Sequence, residues 1–282
     1  MRPPLGSHVR VSSGLARSGL AYADIVGAEA VQVFVSNPRG WATSDGDPSQ
    51  DAAFRSGCAS RGIRAFVHTP YLVNLGSPSA QTVARSGVAI RHAVARARQI
   101  GAEGVVVHTG SAVTGSLEFG LRQVRDHLMP ILDSLGPDDP LILLEPTAGA
   151  GQALCSTVDE VGPYLDALDR HAHVAICLDT CHAFAAGHDL STSGGMKATL
   201  DRLVAVAGPG RLKLVHANDS KDPLGSRRDR HERIGAGLIG SDAFAVLVRH
   251  PAVSGVPIVL ETPGEALDHA REIDLLRSLT PD

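Results

Sequence analysis

The sequence predicts a parallel α/β barrel of the TIM type, and three observations lead there. Eight short β-branched runs recur along the chain, spaced roughly 30–40 residues apart and each followed by an Ala/Leu/Arg-rich helical stretch. The length, 282 residues, suits a single barrel, which takes roughly 250. Six successive runs end in His, Asp or Glu. In a parallel barrel all such ends share one rim, the C-terminal face where active sites of this fold are built.

Taken in order, the first two runs are Leu5–Val9 and Val31–Val35. The third, Arg64–His68, ends on His68 and the fourth, Gly104–His108, on His108. Leu141–Glu145 ends on Glu145, Val174–Asp179 on Asp179, Leu212–His216 on His216 and Pro257–Glu261 on Glu261. Between them the pattern predicts a helix over Ser79–Ile100 and another over Thr157–Leu168, with Thr157 and Glu160 spaced as a capping box. No composition shift or long linker divides the chain, so residues 1–282 read as one domain.

Composition agrees. Hydrophobic residues make up 43% and aromatics only 4%, so the core must be built of Val, Leu, Ile and Ala, as buried parallel sheets are. No apolar run reaches the roughly 20 residues of a membrane span, and MRPPLGSHVR has no signal-peptide stretch. The expectation is a soluble, cytoplasmic protein. The four cysteines, Cys58, Cys155, Cys177 and Cys181, form no C-x-x-C pair and are expected reduced and buried. A net charge of −4 counts against a nucleic-acid partner only until metal is considered: three Zn²⁺ would bring it to −4 + 6 = +2.

The polar strand ends point to metal. Imidazole and carboxylate are zinc ligands, and groups on neighbouring strand ends converge. DTCH adds His182, three positions after Asp179, and DRH adds Asp229 and His231 after the seventh strand. Five histidines (His68, His108, His182, His216, His231) and four carboxylates (Glu145, Asp179, Asp229, Glu261) result, too many for one ion at four or five coordinates. A cluster of two or three ions with a bridging carboxylate is expected. Singly, each residue has a plainer reading: Asp179 before Thr180 is also a helix N-cap, and Asp229 and His231 sit in a charged run that reads as solvated loop. His8 ends the first strand and would support the ligands from behind. His92, His127, His171, His173, His250 and His269 are expected on the surface, and His188 is left in a loop without a role.

Five stretches carry a resemblance to a known family. They are HTPYLVNL (His68–Leu75), LLEPTAG (Leu143–Gly149), CLDTCHAFAAG (Cys177–Gly187), HANDSKDPLGSRRDRHERIG (His216–Gly235) and PIVLETP (Pro257–Pro263). Together they resemble the endonuclease IV (deoxyribonuclease IV) family from Gly6 nearly to the C-terminus. The resemblance implies a zinc-dependent endonuclease that cuts duplex DNA 5′ to abasic sites, leaving a 3′-hydroxyl and a 5′-deoxyribose phosphate. It implies three Zn²⁺ per chain. His68 and His108 would bind the first ion, with Glu145 bridging to the second; Asp179, His216 and Glu261 would complete the second, and His182, Asp229 and His231 would bind the third. A hydroxide shared by the first two ions would be the nucleophile, Glu145 and Glu261 serving as catalytic carboxylates. A monomer with no protein partner is also implied.

The same resemblance places DNA contacts at Arg39, at Tyr71 and Leu72, and at Lys221, Arg227, Arg228 and Arg230. Tyr71 and Leu72 read otherwise as loop packing, and the basic residues as solvated surface; Trp41 fits packing and DNA contact equally. Four positions depart from the family pattern: Pro146 and Ala150 replace amides in the fifth loop, and Arg10 and Ser13 alter the first. They spare the ligands and bear on the groups that hold them. Two other functions compete: a metal-dependent sugar isomerase or epimerase on the same barrel, and a metal-stabilised DNA-binding protein without activity.

Overall fold

The computed structural model describes residues 1–280. Eight parallel strands close a barrel: β1 (Leu5–His8), β2 (Ala30–Phe34), β3 (Arg64–His68), β4 (Gly104–His108), β5 (Leu141–Glu145), β6 (Val174–Asp179), β7 (Leu212–His216) and β10 (Ile258–Leu260). A two-stranded antiparallel ribbon, β8 (Asp219–Ser220) and β9 (His231–Glu232), stands apart in the loop between β7 and β10. The barrel closes between first and last strands, with Ser7 opposite Leu260.

Strands three to seven run as the sequence predicts. The outer ones differ by a residue or so: the first stops at His8, the second is shifted to Ala30–Phe34, and the last contracts to Ile258–Leu260. Glu261 leaves the ladder because its N–H donates to the Asn218 side chain, 2.8 Å away.

Helices cover the outside: α1 (Ala21–Val26), α2 (Pro48–Arg61), α3 (Ala80–Ile100), α4 (Leu117–Leu132) and α5 (Val161–Ala167). They are followed by α6 (Thr180–Ala186), α7 (Ser193–Ala207), α8 (Ser241–Arg249) and α9 (Ala266–Leu279). Their starts follow local chemistry. Asp47 precedes Pro48 and accepts from Ser49 and Gln50 N–H, while Ser79 caps α3 through Thr82 N–H and Ser116 caps α4 through Phe119 N–H. The expected capping box is present, Glu160 accepting from Thr157 N–H at 2.9 Å. It starts a short 3₁₀ turn that runs into α5.

Two apolar layers result. The larger lies between barrel and helices; the smaller, comprising Ala30, Phe66, Val106, Leu143, Ala175, Cys177, Leu214 and Val259, fills the barrel itself. Side chains alternate along a strand, so the residue two positions on from each of these faces inward as well. That step leads from Ala30 to Gln32, Phe66 to His68, Val106 to His108, Leu143 to Glu145, Cys177 to Asp179, Leu214 to His216 and Val259 to Glu261. On β1 the inward residues are Gly6 and His8. Gly6 must lack a side chain, because a Cβ there would lie 1.6 Å from the carbonyl oxygen of Ala30.

All four cysteines are free and buried, and among the described residues no helix is long and apolar enough to cross a membrane. Two histidines expected on the surface are buried instead. His250 stacks under the end of α8, accepting from Ala252 N–H at Nδ1 and meeting Asp201 with Nε2. His269 lies on the inward stripe of α9 with Glu272, Ile273 and Leu276, contacting Ser7, Tyr22 and the carbonyl of Thr262. Helix membership alone did not tell which face they occupy. His92 and His173 are half-buried, each with Nε2 on a carbonyl oxygen, and His188 receives Val158 N–H on Nε2.

Candidate metal centre and active site

The inward step described above delivers polar side chains to one end of the barrel. Glu145, on β5, is fully buried and stands at the middle. Its Oε2 lies 3.1 Å from His68 Nε2 and 3.2 Å from His108 Nε2. Its other oxygen, Oε1, lies 3.0 Å from His216 Nδ1 and 3.4 Å from His182 Nδ1. One carboxylate thus faces two separate sets of nitrogen donors. His216 Nδ1 also sits 3.2 Å from Glu261 and 3.9 Å from Asp179.

A third set forms where the β8–β9 ribbon brings its loop over the barrel. Asp229 meets His231 Nε2 at 2.9 Å and His182 Nε2 at 3.3 Å. Three donor groups follow, the first two sharing Glu145: His68–His108–Glu145, Glu145–Asp179–His216–Glu261, and His182–Asp229–His231, each with ligand atoms within 4.8 Å of one another. All nine residues singled out in the sequence come together. Cys181 is also placed beside Asp179 and His231.

These groups fit zinc. Around a tetrahedral ion with bonds of about 2.0 Å, ligand atoms stand roughly 3.3 Å apart, close to the spacings above. His231 Nε2 is buried and, although 2.9 Å from Asp229, makes no well-aligned hydrogen bond, a cost that a bound cation removes. The rings are held by their opposite nitrogens, which leaves the inward ones available. His68 uses Nδ1 on the carbonyl of Thr69 at 2.6 Å, His182 on that of Pro146 at 3.1 Å and His231 on that of Glu261 at 3.2 Å.

Electrostatics point the same way. Burial disfavours a charged His182, but Asp179, Asp229 and Glu145 carry its pKa up to about 10. His231 is likewise opposed by burial and raised by Asp179 and Asp229 to about 9. His216 is raised despite burial, chiefly by Cys177, Glu261 and Glu145. Burial pushes Glu145, Glu261 and Asp229 upward, yet the surrounding histidines hold all three below the usual carboxylate range. Without a metal ion, protons occupy places where positive charge is wanted.

Asp179 performs both roles that its sequence context offers. Its Oδ1 caps α6 through His182 N–H at 2.9 Å, and its Oδ2 turns to the site, where Asn218 Nδ2 donates to it at 2.7 Å. His8, expected behind the ligands, has Nδ1 3.6 Å from Glu261. Two residues escaped the sequence reading. Asn218 ties Asp179 to the backbone of Glu261. Gln32, fully buried on β2, contacts His216, Glu261 and His8. Amides are poor ligands and carry no signal in a search for them, although the inward parity of β2 marks Gln32.

Above the donors lies a cavity of about 420 Å³, lined by His68, Tyr71, His108, His182, Lys221, Asp229, Arg230, His231, Glu232, Glu261 and Pro263. Tyr71 and Leu72 stay 52% and 39% exposed. The Tyr71 ring stands 5.8 Å from His68 and 6.1 Å from His108, and its N–H binds Pro38 O beside Arg39. Arg39, Lys221, Arg227, Arg228 and Arg230 are exposed, with Arg228 3.3 Å from Asp222. Trp41 packs partly against the core. Arg10 bonds Glu265 and the carbonyl of Gly264, Ser13 is exposed beside Ser18, and Ala150 is an exposed loop residue.

Comparisons with known proteins agree with this architecture. Residues 20–279 match the family described as xylose isomerase-like TIM barrel. A probable endonuclease 4 of Streptomyces avermitilis is 56% identical over 280 residues, covering 99% of this chain and 90% of that one. Among solved structures, endonuclease IV from Thermus thermophilus superposes with a TM-score of 0.86 at 31% identity, over 98% of both chains. A D-tagatose 3-epimerase-like protein has a TM-score of 0.73 at 17% identity, over 98% of this chain and 96% of that one, a likeness of fold alone. Identity at the level of the Streptomyces relative, over nearly the whole of both chains, means that this chain belongs to the endonuclease IV family.

Proposed function

We propose that the protein is a zinc-dependent endonuclease of DNA repair. It hydrolyses the phosphodiester 5′ to an abasic site in duplex DNA and leaves a 3′-hydroxyl and a 5′-deoxyribose phosphate. The observation that carries this reading is the trio of donor groups, two of them sharing Glu145, beneath an exposed aromatic–aliphatic pair and a basic rim. A sugar isomerase has no use for the His182–Asp229–His231 group or for Tyr71 and Leu72 above it. The protein works as a single-domain monomer in the cytoplasm.

His68, His108 and Glu145 would hold one ion, Glu145, Asp179, His216 and Glu261 a second, and His182, Asp229 and His231 a third. Zinc bound there supplies Lewis acidity towards the phosphate and an acidified water as nucleophile. The chain does the rest. Carbonyls of Thr69, Pro146 and Glu261 fix which nitrogen of His68, His182 and His231 carries its proton. Glu145 and Glu261 hold negative charge at the centre, and Glu261 orients the attacking water. Tyr71 and Leu72 enter the gap left by the missing base, where unstacking costs least, and shield the site from bulk solvent. Lys221, Arg227, Arg228 and Arg230 bind backbone phosphates, with Arg39 on the opposite loop.

Incision of a duplex oligonucleotide with one tetrahydrofuran abasic analogue tests this, alongside an intact duplex and a chelator-stripped, zinc-restored sample. The expected result is one metal-dependent cut 5′ to the lesion with a 3′-hydroxyl end. No cut by fully metallated protein rejects the endonuclease. Binding without cutting then favours the silent DNA binder, and no binding favours the sugar enzyme.

A further inference from the structure

Every barrel strand sends a polar side chain to the site, and seven of the eight residues are histidines or carboxylates. The exception is Gln32. It is fully buried at the middle of β2, a strand that offers no ligand, where an unpaired amide would be costly. It is not unpaired. Gln32 Oε1 accepts from His216 Nε2 at 2.8 Å, and its Nε2 donates to Glu261 Oε1 at 2.6 Å and to His8 Nδ1 at 3.0 Å. Each hydrogen-bonding direction has a distinct consequence.

Accepting from His216 Nε2 fixes that nitrogen as the protonated one. His216 Nδ1 then carries the lone pair and faces Glu145 and Glu261. Donating to Glu261 Oε1 leaves Oε2 directed at His216 Nδ1. A carboxylate demands a donor and a protonated imidazole nitrogen an acceptor, so the amide can sit only one way round.

We propose that Gln32 is a positioning residue for the Glu145–Asp179–His216–Glu261 group: one amide sets the tautomer of His216 and the orientation of Glu261, and thereby the grip on the ion held there. The inference rests on the metal reading of the site but not on the identity of the substrate. Groups that hydrogen-bond to metal ligands typically change affinity about 10–100-fold, and the effect should fall on one ion of three.

The test compares wild type with Gln32→Met, which keeps the length and loses both hydrogen-bonding functions, and Gln32→Glu, which keeps the acceptor for His216 and loses the donor to Glu261. Circular dichroism checks the fold. Zinc retained after dialysis against a competing chelator, the visible spectrum of the Co²⁺-substituted protein, and kcat and KM on abasic duplex are then measured. The expected result for both variants is one ion released at about 10–100-fold lower chelator concentration, a changed Co²⁺ spectrum, and a fall in kcat with KM unchanged. Wild-type zinc retention and spectrum in a folded variant overturn the proposal. A wild type that binds zinc but cuts no DNA rejects the endonuclease alone, because the zinc and Co²⁺ readouts still decide the role of Gln32.

Discussion

His182 donates from Nδ1 to the carbonyl oxygen of Pro146, 3.1 Å away, across the gap between α6 and the end of β5. Pro146 is one of the positions where the sequence departs from its family, having a ring in place of an amide side chain. The anchor is a backbone oxygen, which every residue possesses. The departure therefore removes nothing that holds His182. Pro146→Asn is expected to retain the full zinc complement, at a stability cost of about 0.5–3 kcal/mol because Pro146 is buried. Metal analysis and thermal melts check both; a gain or loss of zinc would show that the side chain itself holds the site.

Glu145 offers its two oxygens to different histidine sets, so its loss should disturb two ions together. For Glu145→Gln, zinc per chain is expected to fall below three and turnover on abasic duplex to drop about a thousand-fold, as for several kcal/mol of lost stabilisation. A variant holding three ions and cutting at the wild-type rate would deny the bridging role.

The metal-stripped protein should respond to alkali. His182 and His231 are raised from about 6.5 to about 10 and about 9. Burial opposes the shifts, and Asp179 and Asp229 drive them. Protonated rings thus favour the metal-free fold. Their contribution is complete below about pH 6.5 and is lost as pH rises through about 9 to 10. Calorimetry should show the melting temperature of stripped protein declining across that window, with the zinc-loaded protein spared this loss. A flat profile without metal would contradict the assignment.

Leu72 is exposed and outside the donor groups, so Leu72→Ala separates recognition from metal binding. Zinc content and stability should be unchanged. KM for abasic duplex should rise about 10-fold, within the roughly 1–3 kcal/mol that a contact with an exposed nucleobase is worth. Equal weakening on intact duplex would mean a general contact rather than a wedge.

Outside the donor groups, Arg96 and Asp51 form a buried ion pair joining α3 to α2. Asp51→Ala leaves the guanidinium without its counter-charge and should destabilise the protein by about 3–5 kcal/mol. Denaturant unfolding measures this, and turnover of the folded fraction should be near normal.

The barrel and its donors were legible in the sequence because the two signals coincide. Five strand spans were read to the residue because each ends on its polar group, as with Gly104–His108 and Val174–Asp179. Reading failed where neighbours decide the outcome. The last strand stops short because the Asn218 side chain captures the N–H of Glu261. Helix membership alone puts His269 at the surface, but Glu272, Ile273 and Leu276 share its stripe on α9; their spacing of three, four and seven identifies the inward face. Gln32 was missed because an amide promises no ligand, whereas its two-residue step from Ala30 places it inside.

The pairing of Ser7 with Leu260 bears on how the protein is made. The side chains that meet at the site come from His8 and Gln32 near the start of the chain and from Glu261 near the other end of the described residues. A chain still leaving the ribosome, with His231 already synthesised, lacks the carboxylate and carbonyl of Glu261 and the closing seam between β1 and β10. It holds every residue of two donor groups, but the Glu145–Asp179–His216–Glu261 group is unfinished. Folding here depends on contacts of long sequence separation, which form late and slowly. Filling the group that includes Glu261 would therefore wait for the completed chain and the closed barrel.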